Sequence, residues 1–158
     1  IPDGFIEVDS AKNRRNMERG LKAIEESSNV TADISEVITL FSATKNTLQY
    51  FTATLTPFDP EKDGDYAIAN KEVKEITFNT FRDQMPDAKL DTSSRKINID
   101  GLEFDKFSIS IKIDELPLTV VMIFKLYKGY DFGISYLYMD EETQKQIEAS
   151  ISSSKFRK

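Results

Sequence analysis

Apolar and polar side chains alternate along much of the second half of the chain, which is the pattern of β-strands. Between Phe107 and Ile113 the odd-numbered residues are apolar and the even-numbered residues are polar, so this strand should bury one face. Residues 118–128 carry apolar side chains at both parities, which predicts a central strand covered on both faces. Together with neighbouring runs it predicts a four-strand meander: residues 95–99, 103–113, 118–128 and 131–139.

A hairpin and three helices account for most of the remaining chain. Residues 35–43 and 48–58 are rich in β-branched and aromatic side chains and are joined by a short polar loop, which predicts two antiparallel strands. Apolar residues at helical spacing predict helices over residues 10–27 and 66–85, and Asp140 is placed as the N-cap of a last helix.

This order of elements predicts an α+β fold. We expect a mainly antiparallel sheet of about six or seven strands with helices on both faces, an α/β/α sandwich, because the central strand needs cover on each side. The 158 residues are enough for one hydrophobic core, so residues 1–158 are expected to form a single domain. No apolar run approaches the ~20 residues of a membrane-spanning helix.

The composition excludes several kinds of chemistry. With 21 basic and 27 acidic side chains the net charge is −6, which opposes attraction to phosphate backbones, so nucleic acid is not expected as a partner. The chain has no cysteine and no histidine. Disulfides and thiolate metal sites are therefore excluded, and the commonest general base is missing. We expect no cofactor and no catalytic centre of the common hydrolase types.

Four carboxylates stand at alternate positions before the second predicted helix: Asp59, Glu61, Asp63 and Asp65. This spacing around Gly64 resembles a calcium loop, because calcium prefers several oxygen ligands from a sharply turning backbone. However, the twelfth position holds Asn70 in place of a bidentate glutamate, and Lys62 adds a competing charge. We therefore interpret the segment as a solvated turn that caps the next helix, and keep a calcium site as the alternative.

The second predicted helix has two apolar stripes. The expected core stripe is Ala69, Val73, Ile76 and Thr80, and the second stripe is Phe78, Phe81 and Met85. Because the two stripes lie on different sides of the helix, we expect the sheet to cover the first and another part of the chain to cover the second. The functional alternative is that the second stripe is exposed and binds another protein.

Basic side chains lie opposite the apolar stripe of the first predicted helix: Arg15, Arg19 and Lys22. Because Glu18 and Glu26 are within i,i+4 reach, we interpret these charges as ordinary solvated helix charges. A docking surface for an acidic partner is the alternative.

Both ends of the chain resemble a known family. The first segment is Ile1-Pro2-Asp3-Gly4-Phe5, and the last is Ile147-x-x-Ser150-Ile151-x-x-Ser154-x-Phe156. These residues, and the order of strands and helices between them, resemble the PsbP-like fold. The resemblance implies a small accessory or adaptor module, and many bacterial members look like exported lipoproteins.

We therefore expect a non-enzymatic binding or accessory domain whose partner is another protein. The chain begins at Ile1 without an initiator methionine, so we expect that a signal peptide or lipid-anchored tether precedes it, as in a periplasmic or cell-envelope lipoprotein. A cytoplasmic location is the alternative. A carboxylate-dependent enzyme such as a glycosidase and a calcium-stabilised module are the alternative functions. The sequence does not specify the oligomeric state.

Overall fold

The computed structural model describes residues 1–31 and 33–156. Its strands are β1 (Ile6–Glu7), β2 (Ile38–Thr44), β3 (Tyr50–Pro57), β4 (Lys89–Ile99), β5 (Leu102–Ile113), β6 (Leu116–Tyr127) and β7 (Tyr130–Tyr138). Its helices are α1 (Ser10–Ser28), α2 (Pro60–Asp63), α3 (Tyr66–Gln84) and α4 (Glu141–Ser152).

All of these strands belong to one antiparallel sheet. Their order across the sheet is β1-β2-β3-β7-β6-β5-β4, so the predicted hairpin and the predicted meander are both present. The two parts join where β3 pairs with β7, with Tyr50 opposite Leu137 and Pro57 opposite Tyr130. This join is not between consecutive strands, and it brings residues 73 to 87 positions apart into register.

The outer strand β4 begins at Lys89, earlier than the predicted start at residue 95. Most of its side chains are exposed, so the alternation that marks a half-buried strand is missing from its first half. Backbone pairing with β5 holds it in place over its whole length, from Lys89 opposite Lys112 to Ile99 opposite Leu102. Polar and charged residues on an edge strand also limit pairing with other chains.

Helix α4 covers one face of the sheet. Its Ile147 and Ile151 pack with Val121 and Ile123 of β6 and with Tyr136 of β7 in a buried apolar cluster. The exposed fraction is 1% for both Val121 and Ile123, against 3% for Val120 and 9% for Met122 on the opposite face. The prediction of a central strand covered on both faces is therefore confirmed, and the fold is the expected α+β sandwich.

Helix α3 covers the other face through the second apolar stripe of its sequence. Phe78, Phe81 and Met85 are partly buried and pack against a cluster built on β5 and β6. Val73, from the stripe expected to form the core contact, is 44% exposed. The expectation that the sheet covers the first stripe was wrong, because α3 packs beside α1, and Thr80 meets Ser27 of α1 at 3.1 Å between their hydroxyl oxygens.

Candidate functional site

A cavity of about 800 Å³ lies between α1 and the face of the sheet formed by β2, β3 and β7. We call it the α1 cavity. It exists because the sheet turns short polar side chains toward the helix at this point. Ser42 of β2 is opposite Thr52 of β3, and Thr52 is opposite Ser135 of β7, so these residues lie side by side on one face.

Strands β3 and β7 carry apolar residues, most of them large, on their other face. Phe51 and Ala53 of β3 and Phe132, Ile134 and Tyr136 of β7 all belong to the cluster beneath α4. Large apolar side chains on one face fill the space between the sheet and α4. Small polar side chains on the other face do not fill the space between the sheet and α1. The alternation along β3 and β7 therefore packs α4 tightly and leaves a cavity under α1.

Helix α1 is held over the cavity by its first turns. The Asp9 carboxylate caps the helix by accepting a hydrogen bond from the backbone N–H of Lys12 at 2.8 Å. Buried Asn13 donates from Nδ2 to Oγ1 of Thr39 on β2 at 2.8 Å. The helix is thus tied to the edge of the sheet near its N-terminus, while Asn16 and Gly20 line the cavity further along.

Gly20 lies in the interior of α1, where glycine lowers helix stability by about 1 kcal/mol relative to alanine. A Cβ atom placed on Gly20 would meet nothing within 4 Å, so no packing contact requires the glycine. Gly20 also lines the α1 cavity. The residue therefore enlarges the cavity at the expense of helix stability.

Several polar groups of the cavity wall have no partner. Within the described part of the chain, no hydrogen bond involves the hydroxyls of Ser42, Tyr50 or Ser135, and no ion pair involves Lys12 or Arg19. Burial raises the pKa of the Tyr50 hydroxyl, so it stays protonated and can donate a hydrogen bond. Among the described residues that line the cavity there is no Asp or Glu.

The α1 cavity was not predicted from the sequence. The polar residues at alternate positions from Tyr50 to Thr56 were assigned to a strand by their β-propensity, without asking what their face would contact. That alternation was the available signal, because a polar stripe on a strand in the middle of a sheet must face either water or a polar site. Arg19, one of the basic residues interpreted as solvated, lies in the cavity wall.

Of the four carboxylates singled out in the sequence, Asp59 and Asp65 cap helices, Asp63 accepts a backbone hydrogen bond, and Glu61 lies in the first turn of α2. Asp59 accepts a hydrogen bond from the backbone N–H of Glu61 at 3.1 Å, at the start of α2. Asp63 accepts one from the N–H of Asp59 at 2.7 Å. Asp65 caps α3 by accepting from Ala67 and Ile68. Over residues 1–31 and 33–156, no three acidic residues are grouped so as to hold a metal ion.

A smaller cavity of about 150 Å³ lies on the α4 side of the sheet. The Nζ atom of Lys106 and the Oε1 atom of Glu148 form an ion pair in its wall, with Arg95 and Tyr136 beside them. Burial and the nearby Glu148 charge raise the pKa of the Tyr136 hydroxyl. Among the described residues, Glu148 is the one carboxylate in this wall and the α1 cavity has none, so neither described wall contains the pair of carboxylates that a glycosidase uses.

Comparisons with known proteins bear on the fold. No family model and no curated protein matches the sequence. Among solved structures, the solution structure of cyanobacterial PsbP (CyanoP) from Synechocystis sp. PCC 6803 is similar, with a TM-score of 0.56 at 12% sequence identity. The match covers 98% of this chain and 82% of that one. This chain has the PsbP-like fold.

The resemblance noted at the two ends of the sequence is therefore confirmed at the level of the fold. A Pseudomonas aeruginosa protein of unknown function is similar at a TM-score of 0.47 and 12% identity, over 82% of this chain and 88% of that one. Similarity of fold at such low sequence identity does not show that two PsbP-like proteins share a function. In the described part of the chain, none of the helices is both long and apolar enough to cross a membrane.

Proposed function

We propose that this chain is a non-enzymatic binding domain that takes a small polar molecule into the α1 cavity. The observation that supports the proposal is the combination of a cavity of about 800 Å³ with several polar side chains in its wall that have no partner among the described residues. Ligand sites in proteins commonly measure about 300–1,000 Å³ and contain a few polar groups that fix the orientation of the ligand. The α1 cavity matches both properties.

Gly20 supports a functional origin for the cavity. If α1 served only to cover the sheet, alanine at this position would add about 1 kcal/mol of helix stability, and its Cβ would contact nothing. Proteins accept such losses mainly where a site needs the space. The unpartnered hydroxyls of Ser42 and Tyr50 fit the same explanation, because a ligand can supply their missing hydrogen bonds.

Binding is favoured over catalysis by the chemistry of the wall. Proton transfer near neutral pH usually uses histidine, or a carboxylate with a raised pKa. The chain contains no histidine, and the described wall of the α1 cavity contains no carboxylate. Lys12 and Arg19 supply positive charge, and the hydroxyl and amide groups supply hydrogen bonds, which suffices for recognition.

The wider setting is also a proposal. We place this single domain, residues 1–158, in an exported protein or cell-envelope lipoprotein, in keeping with the bacterial members that the PsbP-like resemblance suggested. An accessory role beside another protein is compatible with ligand binding. Fractionation of cells that express the full-length gene tests the location, because recovery of the protein in the cytoplasmic fraction would contradict export.

The binding proposal is tested by blocking the cavity. Nitrogen-15 NMR spectra of the folded chain are recorded with glucose, glucose 6-phosphate, glucuronate, glutamate and glutamine. We expect at least one compound to shift the backbone amide signals of Asn16, Tyr50 and Ser135. Gly20→Leu should abolish these shifts, because the added side chain extends into the cavity, whereas Gly20→Ala should preserve them.

Both substitutions also improve helix propensity, so neither is expected to unfold the chain. A loss of binding in Gly20→Leu alone therefore reports on the cavity. If none of the compounds shifts these signals, or if binding is unchanged in Gly20→Leu, the proposal is wrong.

A further inference from the structure

We infer that the ligand of the α1 cavity is a polyhydroxylated organic anion, with its carboxylate or phosphate group beside Lys12 and Arg19 of α1. The inference rests on the proposed function, since it names the chemical class of the molecule that the cavity binds. Three features of the wall support it: its charge, the placement of its two cations, and the kind of polar group on the facing strands.

The charge of the wall is opposite to that of the whole chain. The chain has 27 acidic and 21 basic residues, yet the described wall of the α1 cavity contains two basic residues and no acidic one. Lys12 and Arg19 are both exposed to solvent, and two like charges beside one cavity raise the local concentration of anions there. The local excess of positive charge therefore favours an anionic ligand.

Lys12 and Arg19 differ from Arg14 and Lys22 of the same helix, whereas Arg15, outside the cavity wall, likewise forms no ion pair with the described residues. Arg14 lies 3.5 Å from Glu18 and Lys22 lies 3.8 Å from Glu26, so these two cations have carboxylate partners on α1. In the part of the chain that the structure describes, Lys12 and Arg19 form no ion pair. The cations that line the cavity are thus left without an internal partner, whereas Arg14 and Lys22 outside it are paired.

The helical repeat places Lys12 and Arg19 on the same side of α1. Seven residues correspond to about two turns, or ~10 Å along the helix axis. Asn16 lies between them and also lines the cavity. An anionic group near either cation can therefore also accept hydrogen bonds from the Asn16 amide, which has no other hydrogen bond to the described residues.

The strands opposite supply hydroxyl groups. Ser42, Tyr50 and Ser135 face the cavity from β2, β3 and β7, and each hydroxyl is able to donate one hydrogen bond and accept others. Such groups match the hydroxyls of a polyol better than they match an apolar body, which would leave them unpaired. We therefore assign the polyhydroxylated part of the ligand to the sheet side and its charge to the helix side.

Matched ligand pairs test the charge of the ligand. Glucose 6-phosphate and glucuronate each differ from glucose in one anionic group, and dissociation constants for all three are measured by NMR titration in dilute buffer. We expect at least one of the anions to bind about tenfold or more tightly than glucose, because a hydrogen bond to a charged group contributes more than a neutral one. Comparing glucose 6-phosphate with glucuronate decides between phosphate and carboxylate.

Three charge-neutralising variants locate the anionic group. Arg19→Gln and Lys12→Gln should each weaken binding of the preferred anion by roughly tenfold, and should weaken binding of glucose much less. Lys22→Gln is the matched control, because it removes the same charge from the same helix at a position outside the cavity wall. It should change the dissociation constant by less than about twofold.

The outcomes separate this inference from the proposed function. If glucose binds as tightly as both anions and Gly20→Leu still blocks it, the cavity binds a neutral ligand and only the anion assignment is wrong. If Lys22→Gln weakens anion binding as much as Arg19→Gln does, the effect is general attraction to α1, and the assignment to Lys12 and Arg19 is wrong. If inorganic phosphate binds as tightly as glucose 6-phosphate, the hydroxyl groups of the ligand do not contribute to binding, and the assignment of a polyhydroxylated ligand is wrong. If no compound binds, the proposed function itself fails.

Discussion

The Nζ atom of Lys106 lies 2.7 Å from Oε1 of Glu148, and this ion pair connects β5 to α4. The Lys106 side chain is 8% exposed and that of Glu148 is 34% exposed. The same carboxylate oxygen also accepts hydrogen bonds from the Tyr136 hydroxyl and the Gln144 amide, both at 3.3 Å. The Glu148 carboxylate is therefore the ion-pair partner of the buried Lys106 ammonium on the face of the sheet that α4 covers.

Removing this balance should destabilise the fold. Glu148→Ala leaves the Lys106 ammonium buried without a partner, and we expect it to lower the free energy of unfolding by about 2–3 kcal/mol, less than for a fully buried pair because Glu148 is partly solvated. Glu75→Ala is the control, since Glu75 pairs with Lys71 at 3.7 Å on the exposed side of α3. Its effect should stay below about 0.5 kcal/mol. Equal losses for the two variants in urea denaturation would contradict this prediction.

The Lys106–Glu148 pair should also depend on pH. Burial raises the pKa of Glu148, but the hydrogen bond and charge of Lys106 outweigh this effect and lower it overall. A lowered folded-state pKa means that the stabilisation is present above the unfolded value of about 4.3 and is lost as the pH falls through the folded value. The difference in stability between the native chain and Glu148→Ala should therefore shrink between pH 6 and pH 3. A constant difference would show that the ion pair does not stabilise the fold.

Asp131 should show the opposite pH dependence. Its carboxylate accepts a hydrogen bond from the Tyr66 hydroxyl at 2.7 Å, and burial raises its pKa even though this bond lowers it in part. Because its pKa is higher in the folded state, protonated Asp131 stabilises the fold at pH values below its unfolded-state pKa of about 3.9. This stabilisation is lost as the pH rises through the folded-state pKa. Asp131→Asn, which still accepts from Tyr66, should gain stability relative to the native chain between pH 4 and pH 7.

Thermal denaturation of both chains at the two pH values checks this prediction. Tyr66→Phe is the companion variant, because it removes the donor and leaves the Asp131 charge partly buried. It should cost about 1–2 kcal/mol at pH 7. If the native chain instead becomes more stable relative to Asp131→Asn as the pH rises, the fold stabilises the Asp131 anion, and its pKa is lowered rather than raised.

Phe78 should contribute to stability because it packs against the sheet. Phe78→Ala removes a partly buried ring from the cluster on β5 and β6, and we expect a loss of about 2–4 kcal/mol. Val73→Ala on the same helix should cost less than about 1 kcal/mol, since Val73 is 44% exposed. Protein binding by Phe78, Phe81 and Met85 remains a separate hypothesis. It requires instead that Phe78→Ala leaves stability almost unchanged and weakens an association.

The acidic segment should not bind calcium tightly. Asp59 and Asp65 are engaged as helix caps and Asp63 accepts a backbone hydrogen bond, so binding would have to break these contacts. We expect titration calorimetry to detect no site tighter than millimolar, and Asp65→Ala to cost about 1 kcal/mol with or without calcium, through the lost cap. Micromolar binding that disappears in Asp63→Ala would establish the calcium-stabilised alternative.

Local patterns in the sequence were enough for most of the elements and for the class of fold, but they missed α2 and the first half of β4. Alternation along residues 118–128 identified β6 and its two buried faces, because successive side chains of a strand point in opposite directions whatever surrounds them. The helical repeat identified α1, α3 and α4, because every third or fourth side chain of a helix lies on the same face. The two ends of the chain and the order of strands and helices between them suggested the PsbP-like fold, and in the structure the last helix and Phe156 pack on the same cluster.

The contact partners of each face were decided by the tertiary structure. Helical periodicity defined two stripes on α3, but the choice between them depended on where α1 lies, and the stripe with Phe78 faces the sheet. The α1 cavity likewise requires β3 to pair with β7, which brings Thr52 beside Ser135 across 83 residues of chain. Periodicity is a property of neighbouring residues, whereas strand order and helix placement minimise the free energy of the whole chain, so the sequence determined the faces and the fold determined what they enclose.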